Sequence, residues 1–317
     1  MGALTLKLRG IVGTEISTTR YGHFNAFPLD TAVRRIDWYG KSPQAFLQTA
    51  HDLPSRPVVQ VNHPRSSSIG YFELMGLDRQ TFEGDEDLVF GFDGIEVINE
   101  CGDGSLDRAE VLDWFAFMSR GARYFATGTL DDHTAQRARL GVPLTYVAVD
   151  AATPQEVSAQ AFRDAHAKGQ LVVTCGPFID ARIQGERVGA LAPSPDGRIE
   201  AQVTVSAAGW VDVDEVLLIV GGEVLDRAAV PEGPGGVRFS GTLSATVAPG
   251  QDTWAIVWAR GDAPHGPWAQ GRPSFGFTSA VFIDGDGDGD YYEQPRRHAP
   301  RAPVGHISTA PATRVPI

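Results

Sequence analysis

The amino-acid sequence predicts an α/β domain followed by an all-β domain. Up to about residue 185, short apolar runs that resemble buried strands alternate with amphipathic runs that resemble helices. Beyond that point the helical periodicity ends, and apolar or alternating runs are separated by Gly, Pro and Asp. The first pattern is typical of a parallel α/β arrangement, either a barrel or a doubly wound sheet, and the second of a β-sandwich.

These patterns divide the chain into three parts. Residues 1–185 form the α/β domain, residues 186–283 form the β-sandwich, and residues 284–317 combine an Asp/Gly-rich loop with a Pro-rich tail. In the first part, Ser42 and Pro43 supply an N-cap and a first helical residue, so a helix is expected to begin there. Thr153, followed by proline, is expected to begin a later helix in the same way.

Composition and charge exclude some classes of function. The chain has 317 residues, of which 42% are hydrophobic and 21% are charged, as in ordinary globular proteins. Its net charge of −12 argues against non-specific binding to nucleic acids or anionic membranes. No apolar stretch approaches the roughly 20 residues of a membrane span. Cys101 and Cys175 lie beside apolar runs and are expected to be buried free thiols, which leaves the cellular compartment open.

Five residues of metal-binding type stand where apolar runs stop. They are Glu15, His23, His63, Asp131 and His133. A hairpin centred on Thr19 would make Glu15 and His23 direct cross-strand neighbours, with Cβ atoms ~5 Å apart. Asp131 and His133 are two residues apart in an extended segment and would therefore face the same side. Taken singly, each could also be an exposed hairpin residue, a hydrogen-bonded histidine or part of a surface loop.

Taken together, the five residues predict a metal-dependent hydrolase. Imidazole and carboxylate ligands suit Zn²⁺, Mn²⁺ or Fe. A hydrolytic zinc site needs about three protein ligands and an open position, and Glu15, His23 and His63 could supply them. Asp131 and His133 would then serve a neighbouring metal.

Two further residues are candidates for contacts with a substrate. Arg65 follows the His63-Pro64 pair and could bind an anionic substrate group. Asn99 ends the run DGIEVIN and could contact the substrate or a metal ligand.

A second cation site is predicted near the end of the β-sandwich. The run DGDGDGD places Asp284, Asp286 and Asp288 at the first, third and fifth positions of a loop that resembles the first half of a calcium-binding EF loop. Pro295 stands where an EF loop has its glutamate, so the motif is not an EF-hand. The alternative is a solvated acidic loop.

The same sequence words resemble one known superfamily. GTEISTT with GHFN, VNHPR, DGIEVIN, TGTLDDH and a later GPFI occur in this order along residues 5–185. Together they resemble the PHP (polymerase and histidinol phosphatase) superfamily, and in particular its CehA/McbA-like metallohydrolase branch. The resemblance implies a distorted (β/α)7 barrel with a two- or three-metal centre, followed by an appended β-domain.

The resemblance also implies roles for the candidate ligands. Glu15 resembles the family's bridging glutamate, and His23 and His63 resemble the two histidines that share a metal with it. Asp131 and His133 resemble the closing D-x-H pair. Family members begin with H-x-H and T-D-H words, which are missing here, so the implied barrel is incomplete. Three explanations stay open: a truncated reading frame, a partner chain that supplies the missing strands, and a degenerate protein that keeps one metal.

The expected function is hydrolysis of a small-molecule ester or phosphoester by a PHP-like enzyme that binds a divalent transition metal. Because ligands are missing from the motif set, the chain could be inactive on its own. The alternative is a non-catalytic protein that binds a glycan or a partner, with a vestigial metal site and a calcium-bound β-sandwich. Nothing in the sequence identifies the substrate or the metal.

Overall fold

The computed structural model describes residues 9–33, 35–133, 141–264 and 271–292. Within these ranges the chain forms seventeen strands in three sheets and four α-helices. The strands are β1 (Thr14–Ser17), β2 (His23–Phe27), β3 (Val58–Val61), β4 (Gly94–Asn99), β5 (Phe125–Thr129), β6 (Leu144–Val147), β7 (Leu171–Thr174), β8 (Phe178–Ile183), β9 (Glu186–Arg187), β10 (Leu191–Pro193), β11 (Arg198–Ala207), β12 (Glu215–Val220), β13 (Glu223–Ala229), β14 (Gly236–Thr246), β15 (Thr253–Pro264), β16 (Pro273–Thr278) and β17 (Val281–Asp284). The helices are α1 (Pro43–His51), α2 (Tyr71–Leu74), α3 (Ala109–Met118) and α4 (Ala159–Ala167). None of these helices is both long enough and apolar enough to cross a membrane.

The first sheet has five strands in the order β1-β2-β3-β4-β5. Strand β2 is antiparallel to both of its neighbours, β1 and β3, whereas β3, β4 and β5 run parallel to one another. The carboxyl ends of the three parallel strands therefore lie at one edge of the sheet, where ligands bind in many α/β proteins. Because β2 is antiparallel to β3, the turn that leads into β2 lies at the same edge.

The other two sheets pack face to face. The eight-stranded sheet has the order β10-β17-β15-β16-β7-β6, and β12 pairs with β15 and with β13. The four-stranded sheet has the order β14-β11-β8-β9. Alternating residues of β11 and β12, such as Val203, Val205, Val216 and Leu218, fill the apolar layer between the sheets. Strands β6, β7 and β8 come from the part of the chain before residue 185, and the predicted domain boundary there stays a prediction.

Helix α3 covers the opposite face of the eight-stranded sheet. Phe115 packs on Trp254 with ring centroids 4.8 Å apart, and Trp114 packs on Phe277 at 5.6 Å. The Trp254 indole also donates a hydrogen bond of 3.0 Å to the Ser119 hydroxyl at the end of the helix. These aromatic side chains are fully buried, so the helix joins the five-stranded sheet and the β-rich half in one apolar core.

The predicted fold class, which rests on an incomplete (β/α)7 barrel, is wrong. A (β/α) barrel requires parallel strands joined by helices, but the chain is mostly β-structure with few helices. Strands β1, β2 and β3 pair antiparallel. Strands β6 and β7, which were expected to continue the barrel, also pair antiparallel, in the eight-stranded sheet. Short apolar runs suit either kind of pairing, so the sequence pattern did not decide between them.

The two proline-marked helix starts have different outcomes. The prediction at Ser42 and Pro43 is confirmed, because α1 begins at Pro43 with Ser42 as its N-cap. The second helix begins later than predicted. Residues Pro154–Glu156 form only a 3-10 turn, and α4 begins at Ala159. The Ser158 hydroxyl accepts a hydrogen bond of 2.9 Å from an amide in the first turn of α4, which fixes this start.

A disulfide joins Cys101 and Cys175, with an S–S distance of 2.01 Å, so the expectation of free thiols is wrong. Cys101 follows β4 and Cys175 follows β7, and the bond therefore links the five-stranded sheet to the eight-stranded sheet. The two residues are 74 positions apart in sequence. Only the way the chain folds brings them together, which explains why the sequence did not reveal the bond.

We expect reduction of this disulfide to lower the free energy of unfolding. Opening a loop of this length restores conformational entropy to the unfolded chain, worth about 4 kcal/mol in the loop-entropy model. Urea unfolding with and without reductant measures the difference, with the Cys101→Ala/Cys175→Ala double variant as the control, in which reductant should change nothing. Equal stability of the oxidised and reduced proteins would contradict the prediction.

His166 of α4 is buried among aromatic rings. Its ring centroid lies 4.4 Å from that of Phe162 and 5.0 Å from that of Phe27, and its Nδ1 hydrogen bonds to the Phe162 carbonyl oxygen. Burial lowers the pKa of His166 to about 4, and the hydrogen bond opposes this shift only in part. The neutral imidazole is therefore the form that stabilises the folded chain.

We expect His166 to destabilise the protein in mild acid. Its folded pKa lies below the unfolded value of about 6.5, so its contribution is complete above pH 6.5 and is lost as the pH falls towards 4. The loss is on the order of 3 kcal/mol. The His166→Leu variant lacks the titrating group, and its free energy of unfolding should fall less between pH 7 and pH 4. Parallel curves for the two proteins would refute this account.

Candidate metal site

The β1-β2 hairpin brings Glu15 and His23 to one face of the sheet. The backbone pairs Glu15 with Asn25 and Ser17 with His23, so the predicted direct opposition of Glu15 and His23 is wrong. The turn is centred one residue later than predicted, which shifts the partner of each strand residue by two positions. A shift of two preserves the alternation of side chains, and the two residues remain diagonal neighbours on the same face.

Three of the predicted ligands converge at the edge where β3 ends. Ligand atoms of Glu15, His23 and His63 all lie within 4.8 Å of one another. His23 Nδ1 is 3.4 Å from Glu15 Oε1, and the two imidazole rings have centroids 5.0 Å apart. The Glu15 side chain is 36% exposed and His23 is 20% exposed, whereas His63 lies on the buried side of the cluster. The cluster is thus open to solvent on one side only.

The side chain and the backbone of His63 are both in unfavourable surroundings. It is buried, and neither ring nitrogen has a hydrogen-bond partner among the described residues. Buried polar atoms are nearly always paired, and leaving one unpaired costs about 1–3 kcal/mol. Its backbone also adopts a φ of +30°, a left-handed conformation that is unfavourable for residues with a Cβ and often found at functional sites.

A chain of hydrogen bonds fixes the position of Glu15. Ser17 donates to Glu15 Oε2 at 2.7 Å, and Asn62 donates to Glu15 Oε1 at 3.0 Å. Gln60 donates to the Asn62 side-chain oxygen at 3.1 Å and accepts a bond of 2.8 Å from Thr127. This polar chain crosses the sheet from β5 through β3 to β1. Such outer hydrogen bonds orient the ligands of a metal site.

The surroundings of Glu15 and His63 favour the protonation states that bind metal. Burial raises the pKa of Glu15, but hydrogen bonds from Ser17 and Asn62 and the nearby imidazoles outweigh burial and lower its pKa below the usual value. Burial and the neighbouring His23 lower the pKa of His63, although the nearby carboxylates of Asp131 and Glu15 oppose this. A carboxylate and a neutral imidazole are the forms that bind metals.

Glu96 of β4 is a site residue that the sequence interpretation missed. Its carboxyl group accepts hydrogen bonds from the His63 main-chain N–H, from Asn99 at 3.1 Å and from the Thr129 hydroxyl. Burial raises the pKa of Glu96 to about 8, and the charges of Asp131 and Glu15 add to this. The sequence feature that could have identified Glu96 is its place inside the apolar run GIEVIN, because glutamate is rarely fully buried without a specific role.

The closing D-x-H pair does not join the three-residue cluster. Asp131 lies near enough to influence the pKa of both His63 and Glu96. The His133 side chain is 82% exposed, and its Nδ1 hydrogen bonds to the Asp131 carbonyl oxygen at 2.8 Å. Their assignment as ligands of a second metal stays a prediction.

The structure gives Arg65 and Asn99 different surroundings. Arg65 makes a two-pronged ion pair with Asp113 of α3, with distances of 2.6 and 2.9 Å, and donates to the Leu77 carbonyl oxygen. Asp113 is fully buried and also accepts from Arg79 at 2.9 Å. The guanidinium of Arg65 therefore already has a strong structural partner. Asn99 contacts the site through its hydrogen bond to Glu96. The substrate roles of Arg65 and Asn99 stay predictions.

A second group of carboxylates forms near the end of β17. Ligand atoms of Asp252, Asp284 and Asp286 lie within 4.8 Å of one another, and Asp288 is not part of this group. The two oxygens of Asp284 accept hydrogen bonds of 2.6 and 3.0 Å from amides of its own loop, and Asp252 accepts from Gly285 and Tyr292. These bonds account for the loop conformation without an ion, and calcium binding there stays a prediction.

Comparisons were made with protein-family models, with curated proteins and with solved structures, and none of the three found a match for the chain. The candidate site therefore rests on its own geometry.

Proposed function

We propose that this protein is a PHP-like, metal-dependent hydrolase that acts on ester bonds, with phosphoesters as the expected substrate class. The observation that carries the proposal is the convergence of Glu15, His23 and a buried His63 whose ring nitrogens lack partners. A metal ion would bind one of these nitrogens and remove the cost of burying it unpaired. An ordinary core histidine would instead have found a hydrogen-bond partner.

The donor set fits a transition metal. Two imidazoles and one carboxylate suit Zn²⁺, Mn²⁺ or Fe better than Ca²⁺, which prefers oxygen ligands. Three protein ligands, with one side open to solvent, leave room for a substrate or water. Glu15, His23 and His63 would hold the ion.

The site would combine the chemistry of the metal with groups supplied by the chain. When bound, the ion supplies a Lewis acid that polarises an ester and acidifies water. Glu15 is held by Asn62 and Ser17, so it presents its carboxylate in a fixed orientation. Glu96 holds the main chain of His63 in its unfavourable conformation. Asn99 offers a polar side chain beside these groups for orienting a substrate.

We expect purified protein to contain a transition metal and the His63→Ala variant to lose it. Removing one of three ligands should weaken metal affinity by at least roughly 10–100-fold, the range found even for outer-shell partners. Metal content per chain by plasma mass spectrometry, after loading with Zn²⁺ or Mn²⁺ and gel filtration, measures the loss.

His133→Ala provides the matched control for this experiment. His133 also carries an imidazole and was also predicted as a ligand, but its side chain is largely exposed and outside the cluster. This variant should keep the metal of the Glu15 cluster. Equal metal content in wild type and His63→Ala would refute the site.

We expect hydrolysis of bis(p-nitrophenyl) phosphate to depend on the same residue. Chelation should abolish the activity, Zn²⁺ or Mn²⁺ should restore it in wild type, and neither ion should restore it in His63→Ala. Initial rates of p-nitrophenol release provide the measurement. Metal binding without hydrolysis of this diester or of p-nitrophenyl acetate would contradict the enzymatic proposal and support a binding protein with a vestigial site.

A further inference from the structure

A small cavity lies at the amino end of β5, at the opposite end of this strand from the metal site. The end of α4, the loop between β9 and β10, and the turn between β16 and β17 form its other walls. Its volume is about 190 Å³. Clefts for drug-sized ligands have about 300–1,000 Å³, so this cavity suits a smaller ligand. The residues that line it include Arg123, Lys168, Ser279 and Phe282.

The charged side chains that line the cavity are cationic. Arg123 and Lys168 both carry a positive charge at neutral pH, and no carboxylate is present among the described lining residues. The chain as a whole has a net charge of −12, so a cavity wall with positive charge only differs from the rest of the molecule. Such a wall repels cations and attracts anions.

Ser279 carries a buried hydroxyl group without a partner. The residue is 4% exposed, and its Oγ makes no hydrogen bond to any described residue. The neighbouring Thr278 instead uses its hydroxyl group to accept a bond of 3.1 Å from the Val257 amide. The Ser279 Cβ lies 3.8 Å from the position that a Cβ on Gly169 would occupy, so the glycine leaves open space beside Ser279. Because buried polar atoms are nearly always paired, this hydroxyl group indicates a ligand oxygen in the cavity.

Aromatic rings hold the Arg123 guanidinium beside the cavity. Its Cζ lies 5.2 Å from the ring centroid of Phe282 and 5.7 Å from that of Tyr291. A guanidinium that stacks through its faces keeps its N–H donors, which lie in its plane, available for an oxyanion. Its ion-pair partner Asp290 is 3.5 Å away, and the two side chains are 41% and 69% exposed. An exposed ion pair of this kind contributes little, so an anion in the cavity can compete with it.

The end of α4 does not cancel the positive charge. The C-terminal end of a helix carries a partial negative charge because its last carbonyl oxygens lack partners within the helix. Here the carbonyl oxygens of residues 164–166 accept hydrogen bonds from the amides of residues 168–170. Lys168 is itself the C-cap of α4, and its ammonium group offsets the partial charge that remains.

We propose that this cavity binds a doubly charged oxyanion of the phosphate type. The Arg123 guanidinium donates to two of its oxygens, the Lys168 ammonium group supplies the second positive charge, and the Ser279 hydroxyl group donates to a further oxygen. A carboxylate has one charge and two oxygens and would match Arg123 alone. The site does not depend on the hydrolase activity proposed above, since the two sites have no residue in common.

Isothermal titration calorimetry of the full chain with inorganic phosphate, at constant ionic strength, tests the site. We expect saturable binding, and we expect Arg123→Gln and Lys168→Gln each to bind phosphate about ten-fold or more weakly, because each variant loses a charged donor. Sulfate should also bind, and acetate should not. Competition by glycerol phosphate would show that the cavity accepts a phosphate group on a small molecule, whereas binding without such competition would identify the free ion as the ligand. Both results support the site.

Ser279→Ala distinguishes ligand binding from a structural role. The variant should bind phosphate several-fold more weakly. Without phosphate, its free energy of unfolding in urea should equal or exceed that of wild type, because the substitution removes a buried hydroxyl group that has no partner. A serine with a purely structural role would instead lower the stability when it is replaced and leave phosphate binding unchanged, which would overturn the assignment of Ser279.

Arg20→Gln is the matched control. Arg20 also stacks on an aromatic ring, with its Cζ 5.2 Å from the centroid of Tyr21, and it also pairs with a carboxylate, Asp87, at 3.2 Å, but it does not line the cavity. This variant should bind phosphate as wild type does, and so should His63→Ala, which lacks a ligand of the metal site. The proposal is overturned if neither phosphate nor sulfate binds, if acetate binds as tightly as phosphate, if Arg123→Gln and wild type bind equally, or if His63→Ala abolishes binding.

Discussion

The buried carboxyl group of Glu96 is the interaction on which the candidate metal site depends. It accepts hydrogen bonds from the main chain after β3, from Asn99 at the end of β4 and from Thr129 at the end of β5. One group thus joins the carboxyl ends of three parallel strands. It also holds His63 in a backbone conformation that this residue would not adopt unaided. Burying the carboxyl is costly, and the shift of its pKa to about 8 reflects that cost.

The site is supported from behind by a continuous apolar core. Helix α3 lies between the five-stranded sheet and the eight-stranded sheet, and its aromatic residues pack on Trp254 and Phe277. The ion pair between Arg65 and Asp113 connects the segment after His63 to this helix. Loss of a partner from such a buried pair leaves a charge uncompensated and is strongly destabilising. The polar edge that carries the candidate ligands is therefore attached to the apolar core between the two sheets.

The sequence predicted the convergence of Glu15, His23 and His63 better than it predicted the architecture. Glu15, His23 and His63 could be selected because each has a metal-binding side chain at the end of an apolar run. The direction of strand pairing could not be predicted, because LTYV and LVVT suit parallel and antiparallel ladders equally. The hairpin register was missed by one residue at the turn, and Glu96 and Asp252 were missed because their roles depend on neighbours distant in sequence. The disulfide was missed for the same reason.

The disulfide determines in which cellular compartments the fold keeps its full stability. Cys101 lies five residues after Glu96, just beyond the end of β4. The disulfide therefore anchors the strand that carries the Glu96 carboxyl group. Glutathione and thioredoxin keep most cytosolic thiols reduced, whereas secreted and periplasmic proteins retain such bonds. In a reducing compartment this bond would be open, and the end of β4 beside Glu96 would lose its covalent link to the eight-stranded sheet.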